Sequence, residues 1–202
     1  MTSCGDVYKT VAAVSVGYIT EHRSKFISYA IPVRTPEEVK EKIAAYRKQY
    51  HDAHHVCWAY MLGAKRLQFR ANDDGEPSST AGKPILSVIN SHDLTDVLIV
   101  VVRYFGGVKL GTSGLIAAYR AAASDAINHA EIIEKTVDEM ITVEFTYPFL
   151  NDVMKIVKES FPQILAQQFE MDCKMTLQIR QSEMEQLKER LLKVESLFIK
   201  KQ

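Results

Sequence analysis

Apolar positions along this chain follow two periods, and the alternation between them lays out the elements. Val7 to Thr20 (VYKTVAAVSVGYIT) is apolar and β-branched, and it reads as one strand with a bulge at Gly17. Ser24 to Val33 sets Phe26, Tyr29 and Ile31 among polar residues and stops at Pro32, which predicts a second strand. Thr35-Pro36-Glu37-Glu38 offers a capping Thr, a Pro at the first helical position and acids in the first turn. The helix it opens carries Val39, Ile43 and Tyr46 on one face and runs to about Tyr50. His55 to Ala64 is a dense apolar strand, and Leu67 to Arg70 pairs with it. Asn72 to Pro84 is a turn-rich loop leading into a short helix over Ile85 to Asn90. Asp96 to Phe105 is the most apolar strand and is expected at the centre of a sheet. A glycine-rich turn, Gly106 to Gly114, then precedes an alanine-rich helix from Leu115 to Ile133.

After Lys135 the pattern restarts. Glu139 to Tyr147 alternates as a strand, and Leu150 to Phe161 has helical spacing at Val153, Ile156 and Val157. Ile164 to Phe169 and Met171 to Ile179 predict a hairpin. Ser182 and Glu185 have the spacing of a capping box for a helix through Leu192, and Val194 to Ile199 ends the pattern as a strand. The order β-α-β-β-α-β is ferredoxin-like. The expected architecture is therefore α+β in two domains, residues 1–135 and 136–202.

Composition narrows the function classes. The 202 residues are 47% apolar, enough for two cores without staples. Acidic and basic residues balance at 25 each, which argues against non-specific adhesion to DNA or an anionic membrane. The first 135 residues hold 16 basic and 14 acidic side chains, the remainder 9 and 11, so any nucleic-acid role must rest on a local patch. Cys4, Cys57 and Cys173 are scattered and odd in number, which fits a reducing compartment. The N-terminus has no apolar signal segment, and no run reaches the roughly 18 apolar residues of a membrane span. The expectation is a cytoplasmic protein without a membrane partner.

The strongest local signal is Arg103-Tyr104-Phe105-Gly106-Gly107-Val108-Lys109-Leu110-Gly111-Thr112-Ser113-Gly114, a strand running through glycines into a helix. Glycines admit positive φ and close approach of a ligand, and a helix start offers free N–H groups to an anion. Thr112 stands where a P-loop requires Lys, and the dinucleotide spacing also fails. A simple packing corner remains the alternative. Asp73, Asp74 and Glu76 suggest a divalent cation, but the calcium-loop template is not met, and an acidic turn before a helix cap explains them as well. His54 and His55 are adjacent on a strand and face opposite ways, so they cannot share a metal. Cys57 sits in an apolar strand and reads as a core residue. No catalytic constellation emerges, so no enzyme and no cofactor is expected. Of Tyr104 and Phe105, alternation allows one to face a ligand as a stacking platform beside Arg103 or Lys109.

The run Asp73-Asp74-Gly75-Glu76-Pro77 with Thr80-Ala81-Gly82-Lys83-Pro84, the run Val102-Arg103-Tyr104-Phe105-Gly106-Gly107 with Leu110-Gly111-Thr112, the His54-His55 pair and Ser24-Lys25-Phe26-Ile27 together resemble the IMPACT/YigZ family. The resemblance covers residues 1 to about 135 by motif and the rest by layout. It departs at Ser79 and Ser113, where the family has Gly. It implies a first domain like the second domain of a small-subunit ribosomal protein and domain IV of elongation factor G, and a second domain like domain V of that factor. It also implies regulation of translation. The expected surface grips RNA or a ribosomal surface through Lys83, Arg103, Tyr104, Gly106, Gly107, Lys109, Gly111 and Thr112. A translation-stress regulator protein is a further candidate partner. The rivals are a metal- or phosphate-dependent enzyme using Asp73, Asp74 and Glu76, and a protein-only adaptor.

Overall fold

The structure, a computed structural model, describes residues 6–200. Cys4 lies outside them. The chain forms two compact units, one of residues 8–135, the other of residues 136–200 with residues 6 and 7.

The first unit is built on a five-stranded sheet in the order β2-β3-β6-β4-β5, from Ser15–Glu21 (β2), Ser24–Pro32 (β3), His55–Leu62 (β4), Gln68–Asn72 (β5) and Val97–Tyr104 (β6). Every neighbouring pair in it is antiparallel. The apolar run before Phe105 is indeed central, and all of its residues from Val97 to Val102 are buried. Helix α1 (Pro36–Gln49) covers one face of the sheet, packing Val39 against Ile31, Trp58, Leu98 and Val100. Thr35 caps it, its hydroxyl accepting from the Glu38 N–H at 3.2 Å. Helices α2 (Gly82–Ser91) and α3 (Gly111–Asn128) cover the other face over Phe26, Ala59, Ile99 and Val101.

Three expectations change here. The first apolar run is two strands, Val7–Val11 (β1) and β2, because β1 pairs with Ile132–Thr136 (β7) in a separate two-stranded sheet. Strand β7 falls where the alanine-rich helix was expected to continue. Gly17 is not a bulge but a point of close approach: a Cβ there would lie 2.4 Å from the backbone nitrogen of Ala126 in α3.

The second unit contains Asp138–Thr146 (β8), Leu150–Ser160 (α4), Gln163–Gln168 (β9), Asp172–Arg180 (β10), Gln181–Leu191 (α5) and Phe198–Lys200 (β11). Its strands are antiparallel in the order β11-β8-β10-β9. Val143, Phe145, Met175 and Leu177 meet Val153, Leu187 and Leu191 in its core. The capping box does not form. The Ser182 N–H donates instead to Asp6, whose carboxylate also takes two bonds from the Arg180 guanidinium at 2.7 and 3.1 Å. These donors, Arg180 foremost, hold the Asp6 carboxyl well below the usual carboxylate range.

Candidate functional site

The residues singled out in the sequence converge on the end of the first unit's sheet where β6 stops. There the antiparallel register places His55 of β4 and Phe26 of β3 opposite Arg103. The β2–β3 hairpin turns on His22 and Arg23, both at positive φ (44° and 66°). Gly106 is pressed against that turn: a Cβ would lie 2.0 Å from the Arg23 carbonyl carbon, and its N–H reaches the Ser24 hydroxyl at 3.2 Å. Gly107 and Gly111 serve differently, at φ 86° and 70°, with open space where a side chain would point.

Arg103 does not offer its charge to solvent. It is 6% exposed, its guanidinium donates to Glu76 at 2.6 Å, and it lies 5.6 Å from the rings of both Phe26 and Phe105. Glu76 is buried too and also accepts from the Tyr119 hydroxyl at 2.8 Å. The acidic loop is thereby anchored beside the glycine turn. Its other carboxylates are likewise engaged. Asp73 accepts from the N–H groups of Ser79, Ala81 and Gly82 and so caps the start of α2. Burial works to raise the Asp73 pKa, but those three donors and the nearby Lys83 outweigh it, and the net direction is down. Asp74 accepts from the Val56 N–H at 2.7 Å and from Arg47.

His55 is satisfied through Nδ1 against the Asp74 carbonyl at 2.8 Å. The Cys57 thiol contacts the Asp73 carbonyl and the Tyr119 hydroxyl, and burial, only partly offset by Tyr119, pushes its pKa up, away from the thiolate that a nucleophile requires. Among the described residues no group of three or more His, Cys, Asp or Glu side chains is placed to hold a metal.

Tyr104 points to the α1 face, opposite Arg103, and its hydroxyl donates to Asp52 at 2.9 Å. The aromatic that stays beside the glycine turn is Phe105, exposed, with the His54 ring at 6.1 Å. The expected surface took Tyr104 in place of Phe105, and His54 was weighed only as a metal ligand. The HHV and RYF triplets carried the signal, but alternation alone does not say which face the glycine turn serves. Lys109, Thr112 and Ser113 are exposed, and so is Lys83, the second residue of α2. Helix α3 follows Leu110, which provides no side-chain cap, and it has no acid in its first turn. Its first amide groups therefore lack the usual side-chain acceptor.

Residues 22–127 match the family described as the Impact N-terminal domain. The chain is 39% identical over 153 residues to IMPACT family member YvyE of Bacillus subtilis (strain 168), covering 76% of this chain and 70% of that one. It is 32% identical over 145 residues to IMPACT family member YigZ of Escherichia coli (strain K12), covering 71% of each. A crystal structure described as that of a hypothetical protein superposes over 96% of both chains, with a TM-score of 0.74 and 26% identity.

Proposed function

The chain belongs to the IMPACT family, and from that premise we propose that it is a non-enzymatic binding protein that modulates translation by gripping RNA, or an RNA-bearing surface of the translation machinery, at the glycine turn. The observation that carries this reading is the start of α3. Its first turn has no capping side chain and no acid, Gly107 and Gly111 leave room for a ligand to approach, and Lys109 is exposed beside them. Phosphate oxygens would meet the N–H groups of Gly111 and Thr112, with Lys83 and Lys109 supplying charge and Phe105 and His54 offering faces to an unpaired base. Gly106 holds the turn against the β2–β3 hairpin, and Arg103 fixes the acidic loop from beneath. The likeness of the first unit to domain IV of elongation factor G and to a ribosomal-protein domain, and of the second unit to domain V, belongs to the same proposal. Against the enzymatic rival, Asp73, Asp74 and Glu76 each already accept protein donors.

Lys83→Ala with Lys109→Ala tests it. Two phosphate contacts on a single strand correspond to about 1.4 in the slope of log K against log salt. Filter binding of single-stranded RNA at two salt concentrations should show that loss, while the melting temperature stays within an effect of about 0.5 kcal/mol. No binding by the unaltered protein, or an equal slope in the double variant, overturns the proposal.

A further inference from the structure

On the α1 face of the sheet a groove runs between α1 and the β4–β5 edge, enclosing about 330 Å³. Its floor is Ile43, Tyr60 and Trp58, the chain's single tryptophan. Trp58 stacks on Tyr60 with ring centroids 6.0 Å apart, is 8% exposed, and its indole N–H has no acceptor among the described residues. Lys40, Arg47 and Arg70 form the rim, and among the described residues no carboxylate lines the groove. Arg47 is bonded to Asp74, whereas Lys40 and Arg70 have no ion-pair partner among the described residues. Two uncommitted cations over an aromatic floor favour an anionic occupant with some apolar surface.

The adjoining strand says which kind. Arg70 lies on β5, the end strand of the five-stranded sheet, and among the described residues β5 pairs with β4 alone. Its outer backbone groups are therefore available for strand addition. Arg70 faces the groove with Tyr60, while Phe69 faces the other way and is 57% exposed. We propose that β5 and this groove receive an extended acidic peptide segment of a partner protein, adding as a sixth strand. Its carboxylates alternate onto the groove face opposite Arg70 and Lys40, and its apolar residues alternate onto the face of Phe69. A nucleic acid would find the cations but could not use the strand edge. The surface shares no residue with the proposed RNA site, so either reading can fail alone.

An acetylated, amidated octapeptide alternating Glu and Val, titrated into the full chain, tests the proposal by Trp58 fluorescence and by hydrogen-exchange protection of β5 amides. Saturable change in both is expected. Binding should weaken about tenfold in Lys40→Ala with Arg70→Ala, and more in a peptide carrying a central Pro, which cannot donate to the edge. Both altered side chains are exposed, and circular dichroism checks that the variant folds as the parent does. The proposal is overturned by no saturable signal, by equal binding of a Lys/Val octapeptide or of the Pro peptide, by an undiminished double variant, or by oligouridylate producing the same Trp58 and β5 response.

Discussion

Glu76→Ala is the perturbation that most sharply separates support from recognition at the glycine turn. It deletes the carboxylate that holds Arg103 at 2.6 Å and Tyr119 at 2.8 Å, in a site where the Glu76 and Arg103 side chains are only 3% and 7% exposed. Removing one partner of a buried pair leaves the other charge uncompensated, which costs about 3–5 kcal/mol. For a cooperative unit of this size each kcal/mol moves the melting temperature by about 3–4 °C, so a fall of roughly 9–20 °C is expected. Arg103→Ala leaves Glu76 buried and should cost a similar amount. The double variant Glu76→Leu with Arg103→Met, which removes both charges and keeps volume, should recover most of the loss. Thermal melts followed by circular dichroism on the four proteins make the comparison. The sequence alone suggested a different role for Arg103, as one of the residues that grip RNA or a ribosomal surface. An Arg103→Ala melt equal to that of the unaltered protein, with RNA binding lost, would refute the structural assignment.

Ser79 sits at φ 66°, in the left-handed region, while its N–H is bonded to Asp73. Ser79→Gly should relieve about 1–2 kcal/mol of backbone cost and give back about half of it in unfolded-chain entropy. A rise in the chemical-denaturation midpoint at constant m-value is expected, and a fall would show that the Ser side chain contributes more than its backbone costs. The lowered pKa of Asp6 means that its bonds to Arg180 and Ser182 stabilise the native state above the unfolded-state pKa near 3.9 and are lost as the pH falls through the lower folded value. The stability gap between the parent and Asp6→Asn should be full at neutral pH and close as the solution is acidified below about 4, and a gap that persists in strong acid would contradict that linkage.

Much of this arrangement was legible in the residues, and what was not has identifiable causes. Binary patterning located β3, β4, β6 and α1, because each buries a face and burial enforces the period. The split of the first strand was hidden because β1 and β2 are both β-branched, and only their different partners separate them. The capping box at Ser182 failed because a better acceptor, Asp6, arrives from 176 positions away, which no local rule registers. At the candidate site, the turn, the glycines and the acidic loop were visible as separate pieces. Their assembly was not: that Arg103 points inward to Glu76, and Tyr104 away to Asp52, depends on which sheet face α2 and α3 cover.

The bond between Asp6 and Arg180 joins positions 174 residues apart. At about 5–20 residues per second, a growing chain makes Asp6 roughly 10–35 s before Arg180 exists. Residues 8–135 are all synthesised within that interval and hold the complete five-stranded sheet with its three helices. The second unit cannot finish until nearly the last of its own strands has been made and has retrieved a carboxylate synthesised ahead of the whole first unit. A chain cut short after Lys135 and released should therefore already carry a protease-resistant core, with Asp6 left without its cation.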